Sequence, residues 1–297
     1  MKTSYQDSRQ LPKLGKVDLH THSTASDGSL SPTELIILAR EQDINRLALT
    51  DHDNIDGIAE AVLAGENYDV EVIPGIEFSV SYDSGDLHLL GYGFDVTNPE
   101  LSGTISKLQN SRGIRNKKIV EKLNSLGYTI SWKSIQEIAG DGVMGRGHIS
   151  QALMNSGKFE SVNDVFKQLL SSGAPAYVDR YRLKIGDAIN LIHNAGGVAV
   201  WAHPGLHDDF ESMLPHLPQW IDAGLDGLES DYSVHSMELR DRLRSIATAH
   251  GIIYTGGSDF HGSLKPDIQL GQGPDGQPVG EECYLNLRTK IEGMQIE

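Results

Sequence analysis

Cysteine is almost missing from this chain. Cys283 is the single thiol in 297 residues, so neither an intrachain disulfide nor a cysteine-based zinc site is possible. Long apolar runs are missing too, and none approaches the roughly 20 residues that cross a bilayer. The opening stretch MKTSYQDSRQLPKLGK is polar and lacks the apolar centre of a signal peptide, so a reducing cytoplasm is the expected setting. Positive charge is scarce: 25 Lys and Arg stand against 41 Asp and Glu, a net charge of −16. Such a surface repels long nucleic acid unless a local basic patch or bound cations reverse the field. Long duplex nucleic acid is therefore not an expected partner, charge leaves a small phosphorylated molecule open, and the lack of a spanning run gives no reason to expect a membrane. The length suits one large α/β domain, or one such domain carrying a smaller insertion.

What is present is an alternation of short apolar runs and amphipathic stretches. Strands are expected over 17–20, 46–50, 71–80 and 86–93. Ser31-Pro32 followed by Glu34 supplies an N-cap, a first-turn proline and an N3 acid, so a helix should run to about Asp43. A second helix is expected over 55–66. Strand–helix–strand order implies parallel pairing. From 98 to 184 the text turns helical and more basic, which reads as an insertion. Alternation resumes with helices near 185–194, 211–223 and 236–250 and strands over 197–201, 226–230 and 252–257. The expected division is therefore 14–97 and 185–290 for the α/β body, with 98–184 as a helical cap. About seven strands suit a closed or distorted barrel better than a short open sheet.

Histidines and carboxylates gather at the expected strand ends, where barrel enzymes place their chemistry. His20-Thr21-His22 closes the first strand, and alternate residues of an extended segment point to one side, so two imidazoles can converge on an ion. Asp27 follows, then Asp51-His52-Asp53 after the second strand. Glu77, His88, His203, Asp259 and His261 repeat the placement. Imidazole and carboxylate donors suit manganese, zinc or iron. Any one histidine could be an ordinary core or surface group; six at strand ends are hard to read that way.

The segments DLHTHSTASDG, LTDHDNIDG, IPGIEFS, AHPG and GSDFHG resemble the motifs of the PHP (polymerase and histidinol phosphatase) family, across nearly the whole chain. The likeness is strongest to members acting on nucleoside 3′,5′-bisphosphates and short RNA 5′ ends. It implies an α/β fold, a distorted (β/α)7 barrel with a helical insertion, and two or three divalent ions. By resemblance, His20, His22, Glu77 and Asp259 would hold one ion. Glu77 would bridge to a second with His88 and His203, and Asp27, His52 and His261 would hold a third. Some relatives carry histidine in place of Asp27, and an oxygen donor there should hold a soft ion less tightly. Asp51 and Asp53 are expected to orient His52.

Two adjacent ions activate water and clamp a phosphoryl oxygen, so no nucleophilic side chain is required. The expected reaction releases the 3′-phosphate of a nucleoside 3′,5′-bisphosphate, with trimming of short RNA as an extension. Asp259 and His235 are the expected catalytic groups. Arg115, Lys118, Arg146, His148 and His235 are the expected substrate contacts, the glycines around Arg146 and His148 suiting a turn that approaches a ligand. Arg112, Lys117 and Lys122 read as a solvated helix face, and Trp132, Trp201 and Trp220 as packing residues. His193, His207, His216 and His250 receive no role. Competing readings are a phosphatase for histidinol phosphate or a cyclic sugar phosphate, a non-catalytic metal-binding regulatory barrel, and an amidohydrolase. The last commonly needs a ligating lysine where this chain offers Glu77.

Overall fold

The computed structural model describes residues 15–83, 85–140, 144–206 and 210–294. The first fourteen residues, on which the leader reading falls, and His207 lie outside the described residues. Among the described residues eight strands form one sheet: β1 Lys16–Thr21, β2 Ile44–Leu49, β3 Glu71–Tyr82, β4 Gly85–Tyr92, β5 Leu183–Lys184, β6 Val198–Trp201, β7 Gly227–Tyr232 and β8 Ile253–Gly257. The path runs β1-β2-β3-β4-β6-β7-β8, with short β5 pairing with β3. Beyond β8 the chain returns to β1, where the Asp259 N–H donates to the His20 carbonyl and the His22 N–H to the Phe260 carbonyl. A Cβ on Gly257 would stand 2.4 Å from the His20 backbone nitrogen, so glycine is what permits this approach.

Parallel pairing holds for β1-β2-β3 and β6-β7-β8, but β4 runs antiparallel to both β3 and β6. The expectation of parallel order throughout fails there for a simple reason. Only two residues separate Tyr82 from Gly85 in sequence, whereas a parallel crossover needs about a dozen residues or more. Helix Pro32–Glu41 starts as its sequence demands, with Ser31 and Glu34 forming a reciprocal capping box. The single helix expected over 211–223 is instead Phe210–Met213, a 3₁₀ turn Leu214–His216 and Leu217–Asp222. Pro215 and Pro218 remove the backbone donors that a continuous helix would need. A final helix, Glu281–Met294, was not anticipated. It places Cys283, Tyr284, Leu287 and Ile291 in one apolar cluster with Val17, Leu19, Leu90, Tyr92, Val198 and Val200.

The 27-residue helix Pro99–Ser125 serves two cores. Leu101, Ile105 and Leu108 join the cluster that packs helices against the sheet. Ile119, Val120 and Leu123 join a separate cluster built only from inserted residues, including Ile135, Ile149 and Leu153. Residues 119–178 thus have apolar packing of their own, while the first turns of this helix pack against the sheet.

Candidate metal centre

The backbone irregularities of the sheet fall where chemistry-bearing side chains leave it. The β1–β2 register shifts between Asp18 and Thr21, around His20, and the β7–β8 register shifts between Glu229 and Asp231. Such bulges re-aim side chains at the rims of barrels. Asp53, His203 and Asp259 hold φ values of 49°, 30° and 58°. That backbone costs on the order of 1–3 kcal/mol per residue and tends to persist at functional sites.

All nine expected donors meet in one cluster. Glu77, fully buried in β3, stands at its centre. One carboxylate oxygen lies 2.7 Å from His88 Nδ1 and 2.9 Å from His203 Nε2. The other lies 3.2 Å from both His20 Nε2 and His22 Nε2, and 3.0 Å from His52 Nδ1. Asp259 Oδ1 is 3.1 Å from His22 Nε2 and 3.7 Å from His20 Nε2. To one side, Asp27 lies 3.4 Å from His261 Nε2, 4.0 Å from His52 Nε2 and 3.9 Å from His22 Nδ1. Three groups therefore have mutual spacing suited to an ion: His20-His22-Glu77-Asp259, His22-Asp27-His52-His261 and His52-Glu77-His88.

The donors also pass a chemical test of fit. His20 Nε2, both ring nitrogens of His22, His52 Nδ1 and Glu77 Oε2 are buried without a hydrogen-bond partner. Unpartnered buried polar atoms are costly, and here they converge, so a cation would satisfy them together. Burial opposes charge on His22, yet the Asp259 and Glu77 carboxylates beside it outweigh that and raise the ring to about 9. For His52 burial dominates over Glu77 and Asp27 and pushes the ring down to about 3. Burial also opposes ionisation of Glu77, but His52, His88 and His20 hold its carboxyl well below the usual range. Carboxylates and imidazoles here share protons that divalent cations would replace.

Several groups that position this centre were missed in the sequence. Buried Glu229 accepts from His20 Nδ1 at 3.1 Å and from the His203 backbone N–H at 2.8 Å, so it orients two expected ligands from behind. Tyr232 donates its hydroxyl to Asp259 Oδ2 at 3.0 Å, and Lys265 Nζ lies 2.6 Å from the same oxygen. Asp18 pins the loop after β8 by accepting from the Ser258 and Gly271 backbone at 2.9 and 2.7 Å. Its burial raises it to about 6.

Two expectations about carboxylates and one about a histidine need correction. Neither Asp51 nor Asp53 is hydrogen-bonded to the His52 ring. Asp51 braces a turn by accepting from Ser23 and Ser26. Asp53 forms a buried fork with Arg112 and with Arg180 at 3.1 Å. His235 is buried with Nδ1 donating to the Ser230 carbonyl at 2.9 Å and Nε2 accepting from the Gly205 N–H at 3.2 Å. With both ring nitrogens engaged, it braces two loops, and the geometry does not favour it as an acid.

The inserted helices bring a field of opposite sign. Residues 98–184 hold thirteen Lys and Arg against seven Asp and Glu, and the remainder holds twelve against thirty-four. Arg112, expected on a solvated face, is buried and paired to Asp53, because it shares a helix face with Leu108, Arg115 and Ile119. Lys117 and Lys122 are exposed, as expected. Arg115 is buried, and among the described residues its side chain donates only to Asn116 Oδ1, at 2.9 Å. Burial, then Arg112, Arg180, Arg146 and Arg182, press against its charge. Arg112 Nε and Arg180 Nη1 are buried without acceptors. Arg146 donates to the Leu170 carbonyl at 3.1 Å and lies over the Phe166 ring. His148 Nδ1 accepts from the Gly145 N–H at 3.0 Å, which leaves the ring proton on Nε2. Lys118 is exposed on the rim of the cavity that Arg115 lines. Trp201 and Trp220 pack edge to face at 5.0 Å in the core, as packing residues should.

The sequence matches the PHP domain family over residues 18–179. It is 31% identical to the 3′,5′-nucleoside bisphosphate phosphatase of Chromobacterium violaceum, covering 94% of this chain and 98% of that one. It is 33% identical to the 5′-3′ exoribonuclease Rnm of Salmonella typhimurium, covering 86% and 88% respectively. A solved structure from Chromobacterium violaceum, described as an amidohydrolase with bound sulfate and no metal, superposes with a TM-score of 0.85. That chain is 30% identical, with 94% of this chain and 96% of that one covered.

Proposed function

Because the chain belongs to the PHP domain family of metal-dependent phosphoesterases, we propose that it hydrolyses the 3′-phosphate of nucleoside 3′,5′-bisphosphates and trims short RNA from the 5′ end. The observation that carries this reading is the pairing of Glu77, set among five imidazoles, with the buried arginines Arg112 and Arg180, each of which keeps one donor nitrogen without an acceptor among the described residues. One place suits the reacting phosphoryl group and the other a second phosphate.

His20, His22, Glu77 and Asp259 would hold one ion, Glu77, His88 and His203 a second, and Asp27, His52 and His261 a third. Manganese, zinc or iron bound there would lower the pKa of water and neutralise phosphoryl charge. The remaining work falls to the protein. Glu229 fixes the His20 tautomer so that Nε2 faces Glu77 and Asp259. Arg115, with the free edges of Arg112 and Arg180, offers planar donors to the phosphate that is not cleaved. His148 Nε2–H and Arg146 stand near the mouth, where a Cβ on Gly145 would be 3.6 Å from Arg112 and 3.8 Å from Asp27. Segment 98–184 acts in this reading as a substrate-binding cap over the 14–97 and 185–290 body. The acidic body and basic cap would draw a small anion to the mouth while disfavouring long polyanions.

A substrate panel scored by released phosphate tests the proposal. A nucleoside 3′,5′-bisphosphate should be turned over far better than the matching 3′-monophosphate, and Arg115→Ala should erase most of that preference. Indifference to the 5′-phosphate would point instead to another small phosphate ester.

A further inference from the structure

The arginines address phosphate and leave the nucleoside itself unaccounted for. Beside them lies a cavity of about 650 Å³, lined by Lys107, Asn110, Ile114, Arg115, Lys118 and Tyr181 among others. Two large apolar side chains project into solvent here, Tyr181 at 56% and Ile114 at 59% exposure. A single exposed apolar residue needs no explanation. Two in one cavity, with a buried guanidinium in its wall and lysines on its rim, match the two-sided chemistry of a nucleotide. The ring is also rooted. The Tyr181 N–H donates to Ser111 Oγ at 3.0 Å, and its neighbour Arg180 is ion-paired to Asp53 at 3.1 Å, one residue from His52. An aromatic side chain fixed at its base and bare on its face is suited to stacking, an interaction that tolerates any base because every base has a π-face.

We propose that this cavity is a nucleobase site: the base of the substrate stacks on Tyr181, Ile114 adds apolar wall, and Arg115 takes the 5′-phosphate of the same nucleotide. The inference deepens the function proposed above and rests on it. Tyr181 is a binding residue here and takes no part in bond breaking.

The experiment compares a nucleoside 3′,5′-bisphosphate with its abasic analogue, 1,2-dideoxyribose 3,5-bisphosphate, using the metal-loaded full chain. Tyr181→Ala should raise KM for the nucleotide roughly tenfold with kcat little changed, a loss within the range for one stacked base. The same variant should treat the abasic analogue as the wild type does, which controls for misfolding. Tyr181→Phe should keep most of the wild-type KM. An equal loss on both substrates, no loss on either, or a wild type that does not distinguish them would overturn the base site while leaving the bisphosphate reading intact. A wild type that hydrolyses neither would overturn both.

Discussion

Asp53→Asn removes one charge and should cost more than most core truncations. Asp53 is fully buried, and a single carboxylate oxygen serves Arg112 from the long inserted helix and Arg180 from the returning segment. The two side chains are 8% and 3% exposed, so neither guanidinium can turn to water without moving its backbone. Removing one partner of a buried ion pair costs about 3–5 kcal/mol, because the other charge stays behind uncompensated. Against a total stability of roughly 5–15 kcal/mol that is a large fraction. Urea unfolding of the metal-loaded protein at pH 7 reads the difference directly. A change below about 1 kcal/mol would refute the idea that this fork fastens insertion to body.

The pH dependence of that difference supplies an independent check. Burial raises the Asp53 carboxyl, but Arg112 and Arg180 outweigh it and bring the group from 3.8 down to about 2. A depressed carboxyl stabilises the fold above its unfolded value and loses that contribution as pH falls through the folded one. The shift corresponds to about 2.5 kcal/mol at neutral pH, of which roughly half remains at pH 3. The stability gap between wild type and Asp53→Asn should therefore narrow below about pH 4, and a gap that stays flat from pH 7 to pH 3 would contradict the assignment.

Chelation followed by dialysis should abolish phosphate release, and added manganese or zinc should restore it; substantial activity after removal would contradict the proposed centre. In the metal-stripped protein His22 titrates near 9, so its contribution to folding is full below about pH 6.5 and lost as pH rises through 9. A cation must displace that proton, so calorimetric metal affinity should tighten from pH 6 to pH 9. Glu229→Ala should lower metal affinity or activity about 10- to 100-fold while Glu229→Gln retains more, because both His20 and the His203 backbone lose an acceptor. Leu123→Ala should cost about 2–5 kcal/mol in the inserted cluster. Faster hydrogen exchange confined to that cluster would fit an insertion with its own core, whereas uniform loss across the chain would not.

The ligand cluster was legible because its chemistry is local. His20 and His22 sit two apart at a strand end, and Glu77, His203 and Asp259 each end an apolar run or follow one closely. Glu229 was not legible, since a carboxylate inside the buried run of β7 has no neighbour in sequence to explain it. Its partner His20 lies 209 residues away. The burial of Arg112 could have been found. Leu108, Arg112, Arg115 and Ile119 recur at helical spacing on one face with Ile105, so the arginines lie in an apolar stripe, and buried guanidinium implies a counter-charge or an anionic ligand. The fork with Asp53 supplies the first to Arg112, and Arg115 has no carboxylate partner among the described residues.

That contrast between neighbouring arginines also bears on why an acidic chain should keep a basic insertion. A structural role alone would favour pairing every buried guanidinium, since an unpaired one costs several kcal/mol, of order 3–5 for a broken pair. Among the described residues Arg112 Nε and Arg180 Nη1 instead keep donors unmatched, and Arg115, which donates only to a neutral amide, lines with Arg180 the cavity next to Tyr181. Evenly spread charge would leave such a cost without return, whereas on the proposed function a phosphate arriving there would remove it and satisfy several donors at once. On that reading the stability given up in the unliganded protein would become differential affinity for an anion, and the carboxylates concentrated in the rest of the chain would oppose a large polyanion.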